Sequence, residues 1–390
     1  MAALDPITYY RPYYPRFSDA EYQRRYALVR EQMKANGVDC LVVTGSPGMM
    51  AELMADVHWL SNWNHVAAPG FVVFPYDGEP TLYFGLVTYR ANAGQRCVFG
   101  DVRPGTNVYR RILELGLEKG TIGTVGSFPH EVMDELRERV PGARVVPAGG
   151  WFGELRRTRS AEEIEWLRKG AKFADIGLEA MINAIRPGVT ERQIYAAAMH
   201  AVFDAGGQFC FQWLGSTPMA NPVMAYPTQA PTDRVIEKGD IVITEIAASY
   251  EWYAGQINRY VAVGQEPPPE YRRLHDYTVQ LVKDVCAGLK PGAIPSDVAK
   301  AVEPVLQAGY RVEVMSIGRP TGGSTPPVLP VTPPDPFFQR PFIENETVMV
   351  LPLTYTEPDR LGLFLGDMVL VTPEGGKSLH NYPLEEFRVV

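Results

Sequence analysis

Cysteine is scarce. The 390 residues hold four, Cys40, Cys97, Cys210 and Cys286, spaced so widely that no C-x-x-C pair and no zinc spacing occurs. Reduced, mostly buried thiols are the expected state rather than a disulfide framework. Long apolar runs are missing too, and none approaches the roughly 20 residues of a membrane helix. Neither charge sign is in large excess: 37 Lys+Arg stand against 45 Asp+Glu, a net charge of −8. That balance gives no ground for non-specific attachment to nucleic acid or to an anionic membrane. The N-terminal stretch lacks the apolar core of a signal peptide, so a cytoplasmic location is expected. No G-x-S-x-G, G-x-x-x-x-G-K-[ST] or H-E-x-x-H occurs, and GSPG and GTVG are too short for a dinucleotide fingerprint. No cofactor is expected.

What is present is ordinary for a globular chain, with 46% hydrophobic and 21% charged residues. The length implies two or three domains. After a Tyr-, Pro- and Arg-rich opening, SDAEYQRRYALVREQMKANG reads as a helix, with Ser18 and Glu21 as a capping box and Gly37 as its stop. VDCLVVTG, GFVVFP, PTLYFG and TIGTVG read as strands, and VMDELRERV as a short helix. Strands alternating with helices predict an α/β domain over residues 1–153.

Residues 154–390 form the second predicted domain. A capping box at Ser160 and Glu163 opens a helix whose apolar stripe is Ile164, Leu167, Ala171, Ala174, Leu178, Met181 and Ile185. Pro187-Gly188 closes it. An internal repeat follows. RPGVTERQIYAAAMHAVFDAGG and KPGAIPSDVAKAVEPVLQAGY both read basic-Pro-Gly, a cap (Thr190, Ser296), a short helix, then Ala-Gly, with the prolines 104 residues apart. A long helix precedes each copy, at 160–185 and about 270–288. Two helix–helix–strand halves predict a pseudo-twofold sheet with a central cleft.

The second domain resembles the pita-bread fold of creatinase, prolidase, aminopeptidase P and methionine aminopeptidase. The resemblance rests on SAEEIEWLRKGAKFAD, on PTDRVIEKGDIVITEIAASYEWYAGQINRYVAVG and on GDMVLVTPEGGKSLHNYP. VDCLVVTG and HWLSNW resemble the creatinase/prolidase N-terminal domain. The implied fold class is α/β (α+β), and the implied assembly a homodimer in which one subunit's N-terminal domain approaches the partner's cleft. The metallopeptidases of this family hold two divalent ions with Asp, Asp, His, Glu and Glu, a hard oxygen-rich set suited to sharing a hydroxide. Carried over in register, those positions fall on Glu245, Gln256, Arg319, Leu351 or Pro352, and Gly366. One carboxylate, an amide, a cation and two side chains without ligands do not neutralise a dinuclear centre, so no metal is expected. Creatinase works without metal, yet its catalytic His position falls on Thr228, and its MEP glutamate falls on the Leu351/Pro352 position. Its mechanism does not carry over either.

Candidate catalytic residues are therefore Glu245 and Arg319, a carboxylate and a guanidinium at two former ligand positions, as base and anion anchor or as a structural pair. Tyr226, Thr228, Gln256, Asn258 and Tyr355 could fix a small polar ligand, or could satisfy nearby backbone groups. His65, after Ser61-Asn62-Trp63-Asn64, lies in the loop that approaches the active site in creatinase-like dimers. Phe337 and Phe338, in the Pro-rich stretch 325–341, could wall the pocket. The expected function is a metal-independent enzyme acting on a small amino-acid-like or guanidine-like molecule, by C–N hydrolysis or by a lyase, isomerase or cyclisation step. The alternative is a non-catalytic module that binds a ligand or a protein. The partners expected are a small-molecule substrate and a second copy, with no nucleic acid and no membrane.

Overall fold

The structure is a computed structural model of the chain, and it describes residues 14–48, 51–228, 230–317, 328–329, 340–358 and 360–390. Two compact units meet in sequence at Arg156 and Arg157.

The first unit carries α1 (Asp19–Asn36), β1 (Cys40–Gly45), α2 (Ala55–Ser61), β2 (Gly70–Pro75), β3 (Thr81–Phe84), α3 (Arg90–Arg96), β4 (Asp101–Pro104), α4 (Val108–Glu114), β5 (Thr121–Val125), α5 (His130–Arg139), β6 (Arg144–Pro147) and α6 (Gly149–Leu155). The sheet runs β4-β3-β2-β1-β5-β6, with β1 antiparallel to β2 and parallel to β5. Val42, Phe71, Val73 and Ile122 pack under Ile112 and Leu136 of the flanking helices. Ser18 caps α1 and Gly37 ends it in the left-handed region. The predicted capping box there is only half made. The Glu21 carboxylate turns to Arg24 and Arg25, at 2.7–2.8 Å, instead of returning to the cap.

His58 of α2 is buried. Burial, with the charges of Arg96 and Arg25, pushes its pKa well below the ordinary imidazole value. The unfolded chain therefore binds a proton near pH 6.5 that the folded one does not, so acid favours unfolding. We expect the urea midpoint to be flat above pH 7 and to fall below about pH 6.5, at up to about 1.4 kcal/mol per pH unit for this group. His58→Phe should flatten that slope. An unchanged slope in the variant would remove His58 as its cause.

The second unit is built twice. The first half is α7 (Ala161–Ala184), α8 (Glu191–Asp204), β7 (Gln208–Pro218), β8 (Asp240–Tyr250) and β9 (Tyr253–Ala262). The second half is α9 (Pro269–Gly288), α10 (Pro295–Val298), α11 (Glu303–Gln307), β10 (Arg311–Ile317), β11 (Val328–Leu329), β12 (Thr347–Tyr355), β13 (Gly362–Phe364) and β14 (Gly366–Thr372), followed by β15 (Gly375–Ser378) and β16 (Arg388–Val389). The sheet order is β11-β10-β12-β14-β9-β8-β7. The first half enters at the edge strand β7 and the second at β10, beside the short edge strand β11, and the two meet where β9 pairs antiparallel with β14.

The repeat seen in the sequence has a hydrogen-bond basis. Gly188 and Gly292, both at positive φ, donate to the carbonyls of Ile236 and Phe342. Ile236 and Phe342 in turn donate to Val189 and Ala293. Both Ile236 and Phe342 are buried, so each half anchors its turn by one apolar residue before its middle strand. The caps differ. Thr190 and Gln193 form a full capping box, but α10 has Ile294 at its N-cap and Pro295 at its first position. Ser296, the expected cap, lies inside the first turn. The helix α7 opens with the complete Ser160/Glu163 box and buries Leu167, Ala171, Ala174, Leu178 and Met181 as the stripe requires, while Ile164 is only half-buried.

Candidate functional site

Strand alternation sorts the second unit's residues onto two faces. Leu214, Val242, Ile246, Ala248, Ile257 and Val261 pack beneath α7 and α8. Their neighbours turn the other way. Glu245 stands opposite Trp213 on β7 and Asn258 on β9, and Gln256 stands opposite Ala247. Across the seam Asn258 stands opposite Gly366, and the β12–β14 register continues to place Leu351 beside Gly366. Leu351, not Pro352, is therefore the residue on the cleft face. Glu245, Gln256, Leu351 and Gly366, four residues onto which the resemblance carries the family's ligand positions, share one face. Arg319, with Phe337 and Phe338, lies outside the described residues.

Glu245 is 2% exposed and held from two sides. The Gln256 Nε2 amide donates to its Oε1, and the Tyr226 hydroxyl donates to Oε2 at 3.3 Å. Gln256 is 1% exposed and Asn258 is fully buried. The Gln256 Oε1 and both polar atoms of the Asn258 amide have no hydrogen-bond partner among the described residues. Each such group costs about 1–3 kcal/mol if nothing completes it. The walls are aromatic. Trp213 meets Tyr226 edge-on at 5.8 Å between ring centroids, Tyr226 meets Phe364 at 5.0 Å, and Phe211 continues the row at 5.6 Å from Trp213.

Thr228, Tyr355 and His65 make contacts of their own. Thr228 is exposed, and its hydroxyl lies 2.7 Å from the Leu214 carbonyl and 2.9 Å from that of Ala230, which is the backbone-satisfying role. Tyr355 is half-buried at the end of β12, opposite Arg311 and Gly362. His65 belongs to the first unit. Its ring stacks on Trp63 at 5.6 Å and meets Tyr89 edge-on at 4.2 Å. Its Nδ1 accepts the amides of Ala67 and Ala68, and burial pushes its pKa down, so the neutral ring carries its proton on Nε2. Sequence reasoning missed Trp213 and Phe364. The alternation F-Q-W at 211–213, two residues apart on a strand, was the available signal.

The described residues do not fit a dinuclear metal. No group of three or more His, Cys, Asp or Glu among them could hold an ion. Leu351 is buried and apolar. At Gly366 a Cβ would lie 2.0 Å from the Val350 carbonyl oxygen and 2.9 Å from the Leu351 Cα, so the backbone itself excludes a side chain there.

Residues 165–373 match the Metallopeptidase family M24, and residues 25–158 match the Creatinase/Prolidase N-terminal domain. The chain belongs to that family, and the α/β N-terminal domain followed by a pita-bread domain is its fold. The chain is similar to the ectoine hydrolase of Halomonas elongata, with 24% identity over 95% of this chain and 98% of that one. It is also similar to the Xaa-Pro dipeptidase of Pyrococcus horikoshii, with 22% identity over 90% and 94%. The crystal structure of X-Pro aminopeptidase from Thermotoga maritima shares the fold at a TM-score of 0.79, with 18% identity over 94% of this chain and 99% of that one. No helix among the described residues is long and apolar enough to cross a membrane.

Proposed function

We propose that the chain is a metal-independent hydrolase acting on a small amino-acid-like or guanidine-like molecule. The observation that carries the reading is the cleft floor: a buried carboxylate beside two buried amides, of which two acceptor atoms and one donor atom have no partner among the described residues. A vacated site with no ligand would gain stability by filling with apolar side chains. In this reading Glu245 is the general base or cation anchor, poised by Gln256 and Tyr226. Asn258 and the Gln256 carbonyl orient the ligand. Arg319 anchors its carboxylate or oxyanion, and His65 belongs to the same chemistry in the assembled dimer. Thr228 and Tyr355 line the approach. The similarity to a hydrolase of ectoine over nearly the whole of both chains supports the hydrolytic and small-substrate parts.

The test is a panel of ectoine, creatine and glycyl-proline, each incubated with pure protein and followed by NMR. Consumption of one compound, undiminished by EDTA, is the expected result, with no stoichiometric Mn, Fe, Co or Zn by elemental analysis. About one or two tightly held ions per chain, with activity lost on chelation, would overturn metal independence. Binding without turnover would favour the non-catalytic alternative. Light scattering should return the mass of a homodimer, and a strict monomer would remove His65 from the site.

A further inference from the structure

The seam that carries the site is the shortest ladder in the sheet's centre. β9 and β14 share two register pairs, Asn258 with Gly366 and Ile257 with Asp367, while β8 and β9 share ten. Something other than the ladder must fix the two halves against each other. It lies on the reverse face, one residue from Asn258.

Arg259 is 2% exposed, and its planar fork spans the seam. Its Nη1 donates to the Asn258 carbonyl at 2.8 Å and to the Gly366 carbonyl at 3.0 Å, one from each strand and both from the same register pair. Its Nε donates to the Pro383 carbonyl and its Nη2 to that of Tyr382, both at 3.1 Å. Its charge pairs with Asp367 Oδ1 at 2.9 Å. Burial would raise the Asp367 carboxyl, but the Arg259 charge, then His380 and the hydrogen bond from Ser378, outweigh it and hold the group below its usual range. The chain of contacts goes on to the helix layer. Ser378 donates to Asp367 Oδ2 at 2.7 Å and accepts the His380 amide, and the His380 ring meets Asp175 of α7 at 2.7 Å.

We propose that Arg259 is a positioning residue for the cleft, fixing the Asn258 amide from behind by locking the two strands of the seam. Consecutive strand residues point to opposite faces, so a shift of the Arg259 backbone carries Asn258 with it. A lysine keeps the charge but has no planar fork to bridge two carbonyls and a third segment. The inference rests on the reading of the cleft given above.

The test compares wild-type and Arg259→Lys full-length protein, 15N-labelled, with no ligand added. The side-chain amide signals of Asn258 and Gln256 should shift. Amide exchange at 257–258 and 366–367 should quicken about tenfold, while that of 242–247 in β8 stays protected. The kcat/KM for whichever panel compound is consumed should fall by about tenfold or more, carried by kcat rather than KM. Asp367→Asn serves as the second variant if the lysine protein does not fold. Unmoved Asn258 and Gln256 signals, or a uniform loss of protection across the unit, would overturn the inference and leave Arg259 a general stabiliser. Glu245→Gln distinguishes the two failures. Intact turnover in that variant sinks the cleft reading, whereas its inactivity beside an unaffected Arg259→Lys protein sinks this inference alone.

Discussion

Glu245→Gln should cost about 10²–10⁴ in kcat and little in stability, because it removes a proton acceptor and keeps the shape. The new amide can present its oxygen to Gln256 Nε2 and its nitrogen to the Tyr226 oxygen, so both existing partners stay satisfied. The ligand would then lose only the charge. If the carboxylate is the base, turnover falls more than affinity. If it is a cation anchor, affinity falls with it. Arg319→Met is expected to abolish binding of an anionic substrate while the fold survives. The opposing case is a purely structural pair. There each single change leaves a charge without its partner and lowers the melting temperature, and Glu245→Gln/Arg319→Met recovers much of the loss. Measuring affinity, turnover and melting temperature on the three proteins separates these cases. Unaltered values in all three would move the active centre away from the old metal locus.

Much of this was legible in the chain because it depends on local pattern. The capping box at Ser160 and the cap at Thr190 are written in local sequence, and both form. The repeat was visible because two Pro-Gly turns reach positive φ to donate to the residue ahead of each half's middle strand, and glycine does so at no steric cost. The cleft face followed from strand alternation once Glu245 and Gln256 were placed. What stayed hidden depends on distant pairing. Nothing near Leu351 or Pro352 says which faces the cleft. That is decided by the partner strand β14, where Gly366 falls beside Leu351. Ser296 failed as a cap because Pro295, one residue earlier, already fixes a helical φ and starts the turn. No local pattern singles out Arg259, because the carbonyls of Gly366, Tyr382 and Pro383 reach it only in the folded chain.

Gly366→Glu should fail to restore a metal site and should instead unfold the second unit or destabilise it by more than about 3 kcal/mol. By family register a carboxylate at this position would complete part of a ligand set, so the substitution looks like a repair. The backbone forbids it. A Cβ at 366 would lie 2.0 Å from the Val350 carbonyl oxygen, and 2.9 Å from both the Cα and the Cδ2 of Leu351. Only the last of these belongs to a side chain that could swing aside. The others are held by the β12–β14 ladder, where Val350 pairs with Asp367, and by Arg259 gripping the Gly366 carbonyl. Relief therefore requires the central strands to part, which would also release the Asn258 register pair. Gly366→Ala isolates the steric part and should cost about 1–3 kcal/mol. Urea midpoints for both variants, with Mn2+ and Zn2+ titrations of Gly366→Glu, measure the effect. A Gly366→Glu protein with the wild-type midpoint that also takes up an ion would show that the strands can separate, and the incompatibility with metal would then lie in side chains alone. On the geometry of the seam, the Val350 carbonyl and the Leu351 backbone leave no room for a ligand side chain at position 366.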